Sequence, residues 1–405
     1  MRILAISEHF HPRVGGTVEY VTQTCGALQA LGHEVHLLVP GKGKEVEAIT
    51  GYGYEVTSLG VGWPESGDPD RETRYQFCRN ASAFACRAAE GREVDIVHVL
   101  FGLFVNETLD TESLSRMGVP CVTTIHNVPP QECGRSWPGD SWINRLKDRL
   151  RLELVARKNH ARLGKHVYDL WVVPCGIAKQ LLSSVRPDAR IEVIGHGCSE
   201  SLLKKVAIPE CRAPAPGQAL KILTVGGWVP HKRQHLIPEV AGLLREAGID
   251  FVWDLVGPPG RVPRYRDAIL RDIARRGLET QVRGHGAVST DDLARFYSEA
   301  HLYVQPSTEE GFCMTALDAA AAGLPVIGSP AGALPEICRM SEGALVPSHP
   351  DDLAKAIEHF LAAWLWDEDC EAVARTVRER FTWQAAAAQL GNLYQDLMDA
   401  GPKQH

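Results

Sequence analysis

The 405-residue chain contains no C-x-x-C pair, no long apolar run and no excess of positive charge. Its eleven cysteines are scattered and odd in number, which favours a reduced compartment over a disulfide framework. No segment approaches the ~18 to 20 uninterrupted apolar residues that a membrane-spanning helix needs. The formal net charge of -7 argues against a general nucleic-acid binder, because such proteins displace counterions with a positive surface. We therefore expect any anion site to be local.

The amino terminus also lacks the layout of a secretory signal. The stretch MRILAIS enters a predicted strand directly, without a charged segment, an apolar segment and a small-residue cleavage site. Together with the cysteine pattern, this predicts a cytoplasmic protein.

The composition is that of a globular protein, with 44% apolar and 23% charged residues, and the length predicts two domains. Short runs of Val, Ile and Leu alternate with helical patterns, as in parallel sheets whose strands are connected by helices. The predicted strands are residues 2–7, 34–40, 95–100, 120–125, 170–173 and 191–194, followed by 221–225, 251–256, 280–283, 302–305 and 325–328.

Proline and small residues accumulate over residues 206–218, where the periodicity stops, as is typical of a linker. We therefore predict an α/β protein with two Rossmann-like domains, residues 1–200 and 201–382. Apolar residues at helical spacing predict one further helix over residues 383–398.

The most informative stretch is PSTEEGFCMTALDAAAAGLPVIGS, residues 306–329, whose pattern predicts a strand end, a loop, a helix and the next strand. Backbone N–H groups at the start of such a helix are available to an anion. These amides belong to Cys313, Met314 and Thr315, and Gly311 permits the close approach of a ligand. Glu310 stands just before the helix and Asp318 about two turns into it, so the two acids could hold two parts of one long ligand.

This segment resembles the E-x7-E region of the family 4 retaining glycosyltransferases, and the resemblance extends over nearly the whole chain. It implies the GT-B fold, in which two Rossmann-like domains face each other and a C-terminal helix, within residues 383–405, packs back toward the N-terminal domain. The first domain is then on the acceptor side, and the second binds a nucleotide-sugar donor.

In that family the first acid contacts the donor sugar and the second binds the ribose hydroxyls, which implies these roles for Glu310 and Asp318. The sequence departs from the family pattern twice here. The second acid is normally a glutamate, and Cys313 replaces the usual glycine after Phe312.

A second motif is VGGWVPHK, residues 225–232, which follows a predicted strand. It resembles the family's G-R-x-x-x-x-K loop, in which arginine and lysine neutralise the departing diphosphate. Lys232 matches the lysine, but Gly227 stands where arginine is usual, so one charge is missing. Arg233 and His231 are the candidates to replace it.

Two features of the first half also resemble the family. His126 stands at the carboxyl end of a predicted strand, where open α/β sheets bind ligands, and the family has a histidine here that faces the sugar. The loop HPRVGGT, residues 11–17, resembles the family's GG loop, whose Gly15 and Gly16 would bring backbone N–H groups close to a phosphate or sugar. The alternatives are a structural histidine and a simple glycine turn.

The resemblance implies retaining transfer of a hexose-type sugar from a nucleotide-diphosphate sugar, foremost a UDP- or GDP-sugar, to an acceptor hydroxyl. The acceptor would be a glycan, a lipid-linked molecule or a small molecule. The predicted catalytic residues are His126, Lys232 and Glu310. The predicted donor-binding residues are Gly15, Gly16, Gly227, Arg233, Gly311, Phe312, Cys313, Met314, Thr315 and Asp318.

No cofactor and no metal are expected. The D-x-D patterns at residues 68–70 and 367–369 match a divalent-ion motif, but neither follows a predicted core strand. Two alternatives stay open: a sugar-nucleotide 2-epimerase or hydrolase of the same fold, and a non-catalytic nucleotide-sugar binding partner.

Basic residues are concentrated in residues 144–166, where they outweigh Asp148 and Glu153. One interpretation is a solvated helix. The other is peripheral contact with the anionic inner face of a membrane, which members of the family that glycosylate lipids make through their first domain.

Overall fold

The computed structural model describes residues 1–11, 15–43, 45, 47–64, 69–102, 104–128, 134–163, 167–209, 212–362 and 370–401, without the side chains of 159–162. The chain divides into two compact units. The first unit comprises Met1–Val128, Lys158–Gly197 and Phe381–His405, and the second comprises Pro129–Arg157 and Cys198–Arg380. Residues 129–157, which we had predicted in the first domain, are grouped with the second.

The elements are numbered in chain order. The strands are β1 Arg2–Ser7, β2 Glu34–Gly41, β3 Glu47–Ala48, β4 Glu55–Gly60, β5 Ile96–Phe101, β6 Cys121–Thr124, β7 Leu170–Val173, β8 Ile191–Val193, β9 Leu220–Val225, β10 Phe251–Val256, β11 Val282–Gly284, β12 Leu302–Gln305, β13 Val326–Gly328 and β14 Ala344–Leu345.

The helices are α1 Gly16–Ala30, α2 Arg71–Glu90, α3 Val105–Thr108, α4 Thr111–Arg116, α5 Trp142–Leu163, α6 Gly176–Val185, α7 Glu200–Leu203, α8 Ile237–Glu246, α9 Pro263–Arg275, α10 Thr290–Glu299, α11 Met314–Ala321, α12 Leu334–Met340, α13 Pro350–Ala362, α14 Cys370–Arg380 and α15 Trp383–Ala400. Among the residues described, no helix combines the length and the apolar character that crossing a bilayer requires.

The first unit is built on a sheet of strand order β3-β4-β2-β1-β5-β6-β7-β8, parallel except for the β3–β4 pair. Strands buried on both faces are rich in apolar residues, and in β5, IVHVLF, residues 96–100 are all buried with His98 as the one polar residue among them. The strand order reverses between β1 and β5. The carboxyl ends of these two strands therefore form the ligand-binding position of a Rossmann-like sheet.

The second unit has a parallel sheet of order β11-β10-β9-β12-β13-β14. Counted from β9, this is the 3-2-1-4-5-6 order of the Rossmann fold. Fully buried Trp253, Tyr265 and Phe360 belong to the apolar core around this sheet. The strand order reverses between β9 and β12, so the loops that follow these two strands lie at the position where such sheets bind ligands.

The predicted two-domain Rossmann-like architecture is confirmed. Strands β1, β7, β10 and β12 have the predicted bounds, and the other predicted strands are shifted by one or two residues at their ends. Within the described residues, three strands were missed. In β4 the sequence EVTSLG has little continuous apolar character, and β3 and β14 are only two residues long.

The predicted linker, residues 206–218, is held to the second unit by a buried arginine. The guanidinium of Arg212 is 1% exposed and donates to the carbonyl oxygens of Tyr297, Ser298, Ala300 and Ala322 at 2.6 to 3.1 Å. These bonds satisfy a charged group that would otherwise be costly to bury. The proline-rich segment is thus fixed at Arg212.

The C-terminal helix α15 packs on α1 within the first unit, which confirms the predicted returning helix. Its first residue, Trp383, is 1% exposed and stacks on His196 with ring centroids 6.0 Å apart. A Cβ at Gly197 would lie 2.6 Å from the Trp383 backbone nitrogen. Only glycine therefore lets the chain pass this close to α15.

His98 lies in the core of the first unit and is fully buried. Its Nδ1 lies 2.5 Å from the Tyr394 hydroxyl of α15, and its Nε2 lies 2.9 Å from Thr124 Oγ1. Burial, with a smaller contribution from His126, lowers the pKa of His98 to about 3. The imidazole is therefore neutral at pH 7.

This burial predicts acid sensitivity of the first unit. Because the pKa is lower in the folded state, the contribution of His98 is fully present above the unfolded pKa of about 6.5 and is lost as the pH falls toward 3. Between pH 7.5 and 5.0, His98→Gln should lose about 2 kcal/mol less unfolding free energy than the wild type. Urea unfolding measures this. The exposed His349→Gln is the control, and an equal loss in the wild type and His98→Gln would contradict the account.

Candidate functional site

A buried ion pair joins the loops that follow β9 and β12. Lys232 ends a short 3-10 helix, Pro230–Lys232, in the connection between β9 and α8, and Glu310 lies in the loop after β12. The Lys232 Nζ and Glu310 Oε1 atoms are 2.7 Å apart, and the two side chains are 16% and 4% exposed. The structure thus brings two of the predicted catalytic residues together at the strand-order reversal of the second sheet.

Glu310 Oε1 has a second donor that the sequence analysis missed. The Ser307 hydroxyl donates to it at 2.6 Å, and Gln305 Nε2 donates to Ser307 Oγ at 2.7 Å. Burial alone would raise the pKa of Glu310, but Lys232, His231 and Ser307 outweigh burial, and the pKa is lowered. Glu310 is therefore ionised at neutral pH. In the sequence, the signal for this second donor was a pair of polar residues, Gln305 at the end of the apolar strand β12 and Ser307 just after it.

The two loops are also connected through their backbones. The Thr308 N–H donates to the His231 carbonyl oxygen at 2.8 Å. Gly332, at φ 53°, passes so close that an added Cβ would lie 2.7 Å from Glu310 Cβ. The position of Glu310 is therefore fixed by backbone packing as well as by its charge.

His231 does not replace the arginine that is missing at Gly227. Burial lowers the pKa of His231 to about 4 against the opposite effect of Glu310, so this imidazole is neutral at pH 7. Arg233 has a left-handed backbone at φ 55°, and burial lowers the pKa of its partly buried guanidinium. Of the two candidates from the sequence, only Arg233 is a cation at neutral pH.

Gly227 itself has room for a side chain. An added Cβ would lie 3.9 Å from its nearest neighbour, the Pro258 carbonyl oxygen. The preceding Gly226 differs, because it has φ 156° and an added Cβ would lie 3.0 Å from Lys232 Cδ. The backbone at position 227 therefore does not require glycine, and the charge is missing only because of the residue that stands there.

Helix α11 begins directly after the Glu310 loop. Cys313 precedes the helix with a left-handed φ of 73°, and burial raises the pKa of its thiol to about 12, so it stays neutral. The side chain of Thr315 is turned inward, since its Oγ1 donates to the Val225 carbonyl oxygen at 3.1 Å. The first N–H groups of a helix lack intrahelical partners. The start of α11, just after the Glu310 loop, therefore has amides that an anion could meet, and their binding of a ligand stays a prediction.

Phe312 and Gly311 are buried in the same loop, and Met314 is half-buried at the first helical position. Asp318 lies one turn further along α11 and is 4% exposed. Its Oδ1 accepts the Ser199 N–H at 2.9 Å. The carboxylate that we expected to bind ribose thus accepts a hydrogen bond from the residue just before α7.

The predicted residues of the first unit lie at its own strand-order reversal or beside it. His126 follows β6, is 8% exposed, and places its Nε2 3.0 Å from the Leu100 carbonyl oxygen. Burial lowers the pKa of His126 to about 4. Gly15 and Gly16 are exposed at the start of α1, and residues 12–14 of this loop lie outside the described residues.

Glu8, which directly follows β1, is a buried acid that we did not predict as a site residue. Its carboxylate is 5% exposed and accepts the N–H groups of Phe104 and Val105 at 3.0 and 3.1 Å. Burial raises the pKa of Glu8 despite these bonds. The signal was a single acidic residue at the end of an apolar strand.

No cluster of three or more metal-ligating side chains occurs among the residues that the structure describes. Of the D-x-D patterns, residues 68 and 367–369 lie outside that part of the chain. Asp70 caps α2, because its side chain accepts the Thr73 N–H at 2.8 Å.

Family models match both halves of the chain. Residues 212–380 match the model described as "Glycosyl transferases group 1", and residues 14–201 match "Glycosyltransferase Family 4". An uncharacterized glycosyltransferase of Methanocaldococcus jannaschii is 32% identical over 419 residues, which cover 98% of this chain and 99% of that protein. A D-inositol 3-phosphate glycosyltransferase of Streptosporangium roseum is 26% identical over 432 residues, covering 98% and 93%.

Solved structures are similar over the same length. Sucrose-phosphate synthase from Thermosynechococcus elongatus has a TM-score of 0.74 at 23% identity, covering 98% of this chain and 99% of that one. HepE from Anabaena, in complex with UDP, has a TM-score of 0.68 at 14% identity, covering 98% and 100%. At these identities the structures show the fold alone.

The ion pair predicts a specific loss of stability. Glu310→Gln leaves the Lys232 ammonium buried without its counter-charge, and breaking a buried pair from one side costs about 3 kcal/mol or more. The matched control is Glu299→Gln, which breaks the exposed Lys221–Glu299 pair of the same unit and should cost less than about 1 kcal/mol. Urea unfolding measures both variants, and equal costs would contradict the buried character of the pair.

Proposed function

Because this chain belongs to the group 1 glycosyltransferases of family 4, we propose that it transfers a hexose-type sugar from a nucleotide-diphosphate sugar to an acceptor hydroxyl. We propose further that the transfer retains the anomeric configuration and uses no metal ion. The observation that carries the proposal is the buried Lys232–Glu310 pair beside the start of α11.

Lys232 is suited to bind the diphosphate of the donor. An ammonium has three N–H donors, and one of them is directed to Glu310 Oε1 at 2.7 Å. With three donors on one nitrogen, contact with a phosphate oxygen does not require the bond to Glu310 to break. Negative charge on the diphosphate grows as it leaves the sugar, so a fixed cation stabilises the transition state more than the bound donor.

The start of α11 supplies the second anion contact in this proposal. Its first amides point out of the helix, and the positive end of the helix dipole favours a phosphate there. Gly311 and Cys313 are buried without ionised side chains, so a phosphate would meet backbone N–H groups and no negative charge from these residues.

The proposed chemistry needs no protein base. The bond between the anomeric carbon and the diphosphate oxygen breaks, and the acceptor oxygen forms its bond on the same face of that carbon. The acceptor proton passes to an oxygen of the departing phosphate. Glu310, ionised because Lys232 and Ser307 hold its pKa down against burial, would stabilise the positive charge that develops on the sugar ring.

The charge of Lys232 is the reason why we propose transfer without a metal ion. Nucleotide-sugar enzymes that use a divalent ion place it on the diphosphate, where it neutralises the leaving charge. Here a lysine ammonium takes that role. We therefore expect transfer to continue in the presence of EDTA.

The donor that we propose first is a UDP-sugar, followed by a GDP-sugar. HepE, a structural neighbour, was solved with UDP, and this supports testing UDP-sugars first. The acceptor would be a glycan, a lipid-linked molecule or a small molecule with a free hydroxyl.

The donor can be identified by thermal stabilisation. We expect one sugar among UDP-, GDP-, ADP- and dTDP-hexoses to stabilise the protein, by about 2.7 kcal/mol at 100 times its Kd. Lys232→Met should weaken this binding, whereas Lys221→Met, an exposed lysine of the same unit, should not. With the donor known, NMR of the product reports the anomeric configuration. Release of free or epimerised sugar with every acceptor, instead of transfer, would contradict the proposed function.

Restoring the missing cation tests the electrostatic argument. Gly227→Arg should increase the transfer rate, by up to about 100-fold, because a second cation would face the leaving diphosphate and the backbone at Gly227 has room for a side chain. Gly227→Met, which adds a chain of similar reach without charge, is the control. Equal rates in the two variants would argue against diphosphate neutralisation by this loop.

A further inference from the structure

A hydrogen-bonded network lies in the core of the first unit and is not used by the proposed function. It joins side chains from four elements, and none of them is more than 4% exposed. We call them the buried network: Tyr394 of α15, His98 of β5, Thr124 of β6 and Tyr20 of α1. Polar groups in an apolar core are costly unless they are paired, so a satisfied network holds its members in place.

Thr124 is the centre of the buried network. Its Oγ1 lies 2.9 Å from His98 Nε2 and 3.0 Å from the Tyr20 hydroxyl oxygen. His98 Nδ1 lies 2.5 Å from the Tyr394 hydroxyl oxygen. A neutral imidazole has one donor and one acceptor nitrogen, so each of these three contacts can be a hydrogen bond. The Tyr20 hydroxyl is also bonded to Thr24 of its own helix, and Thr124 is therefore the partner that connects it to the sheet.

The network ends at an aromatic ring against which His126 packs. The ring centroids of Tyr20 and His126 are 4.5 Å apart at an interplanar angle of 81°, which is an edge-to-face contact. His196 lies beside both rings, with centroids 4.7 Å from Tyr20 and 5.3 Å from His126. The position of the Tyr20 ring therefore affects the orientation of the His126 ring.

One hydrogen bond connects His126 to the backbone. Its Nε2 lies 3.0 Å from the Leu100 carbonyl oxygen, and a neutral imidazole can donate to this acceptor only with its proton on Nε2. Nδ1 is then a hydrogen-bond acceptor. A single hydrogen bond does not fix the plane of a ring, so the direction in which Nδ1 points depends on packing against Tyr20 as well.

We propose that Thr124 and Tyr20 are positioning residues for His126. The Thr124 hydroxyl holds Tyr20, and the Tyr20 ring fixes the plane of the His126 imidazole. Through His98, the same hydroxyl is attached to Tyr394, so the C-terminal helix contributes to this positioning. The inference rests on the proposed function, because His126 is one of its predicted catalytic residues.

The kinetic test compares two substitutions at position 124 that differ in one hydroxyl. Thr124→Val removes the hydroxyl and Thr124→Ser keeps it. With the donor identified, Thr124→Val should lower kcat for sugar transfer by about tenfold or more, because a small misplacement of a catalytic group is costly. The KM for the donor should change by less than about twofold, since the proposed donor contacts belong to the second unit. Thr124→Ser should retain most of the wild-type kcat.

Tyr20→Phe removes the other hydroxyl of the same bond and keeps the ring. It should also lower kcat, and the double variant Tyr20→Phe, Thr124→Val should be no slower than Thr124→Val alone, because both substitutions break one shared contact. The control is Tyr168→Phe, which removes a buried hydroxyl outside the network in the same unit and should leave kcat unchanged.

A spectroscopic measurement tests the positioning without any substrate. In nitrogen NMR spectra of histidine-labelled protein, the wild type and Thr124→Ser should show His126 as a single Nε2–H tautomer. Thr124→Val should show an average of both tautomers, because the ring no longer stays on the Leu100 carbonyl. His126→Gln assigns the signal. Urea unfolding checks that each variant is folded, and Tyr20→Phe carries both measurements if Thr124→Val is not.

Two outcomes would overturn the proposal. One is a wild-type tautomer of His126 together with a wild-type kcat in Thr124→Val. The other is an equal loss of kcat in Thr124→Val and Thr124→Ser, because position 124 would then act through its volume and not through its hydroxyl. Absence of transfer by the wild type would instead contradict the proposed function, and the NMR comparison would still decide the positioning role.

Discussion

A lysine and a glutamate are each costly to bury alone, and this constraint organises the ligand-binding end of the second unit. Lys232 and Glu310 come from loops that follow β9 and β12, far apart in sequence, and they meet at 2.7 Å only because the strand order places β9 beside β12. The pair then fixes both loops, with the Thr308–His231 backbone bond and the close passage of Gly332. The same arrangement combines a cation, an ionised carboxylate and the first amides of α11, and in the proposed function these groups bind the nucleotide-diphosphate sugar.

Two departures from the family pattern have different structural consequences. At Gly227 the absent arginine removes a charge although the backbone would admit a Cβ, and neighbouring His231 cannot supply one because burial keeps its imidazole neutral. Asp318 is shorter than the glutamate of the family pattern, and its carboxylate accepts a hydrogen bond from the Ser199 N–H. The loop of residues 225–232 is thus less positive than the family pattern, whereas the carboxylate of Asp318 has a structural contact with Ser199. In the proposed function, most of the leaving-group stabilisation consequently falls on Lys232 and on the start of α11.

The sequence was sufficient for the Rossmann-like units, because buried parallel strands are continuous apolar runs that stand out between helical patterns. The resemblance of residues 225–232 and 306–329 to family motifs located Lys232 and Glu310, which lie in the segments that follow two such runs. The sequence did not predict β4, because polar residues interrupt its apolar pattern. It also did not predict that residues 129–157 group with the second unit, because that grouping depends on contacts between distant residues, such as Arg264 with Asp140. Ser307 and Glu8 were missed because single polar residues at strand ends have no pattern of their own.

The most direct test of the donor site is a crystal structure with the nucleoside diphosphate that binds most tightly. The account predicts a phosphate oxygen within hydrogen-bonding distance of Lys232 Nζ, a second phosphate on the first amides of α11, and no metal ion between them. The Lys232–Glu310 pair should persist, because the ammonium has donors for both partners. A nucleotide bound elsewhere on the second unit, or one whose diphosphate contacts neither Lys232 nor α11, would contradict the central claim.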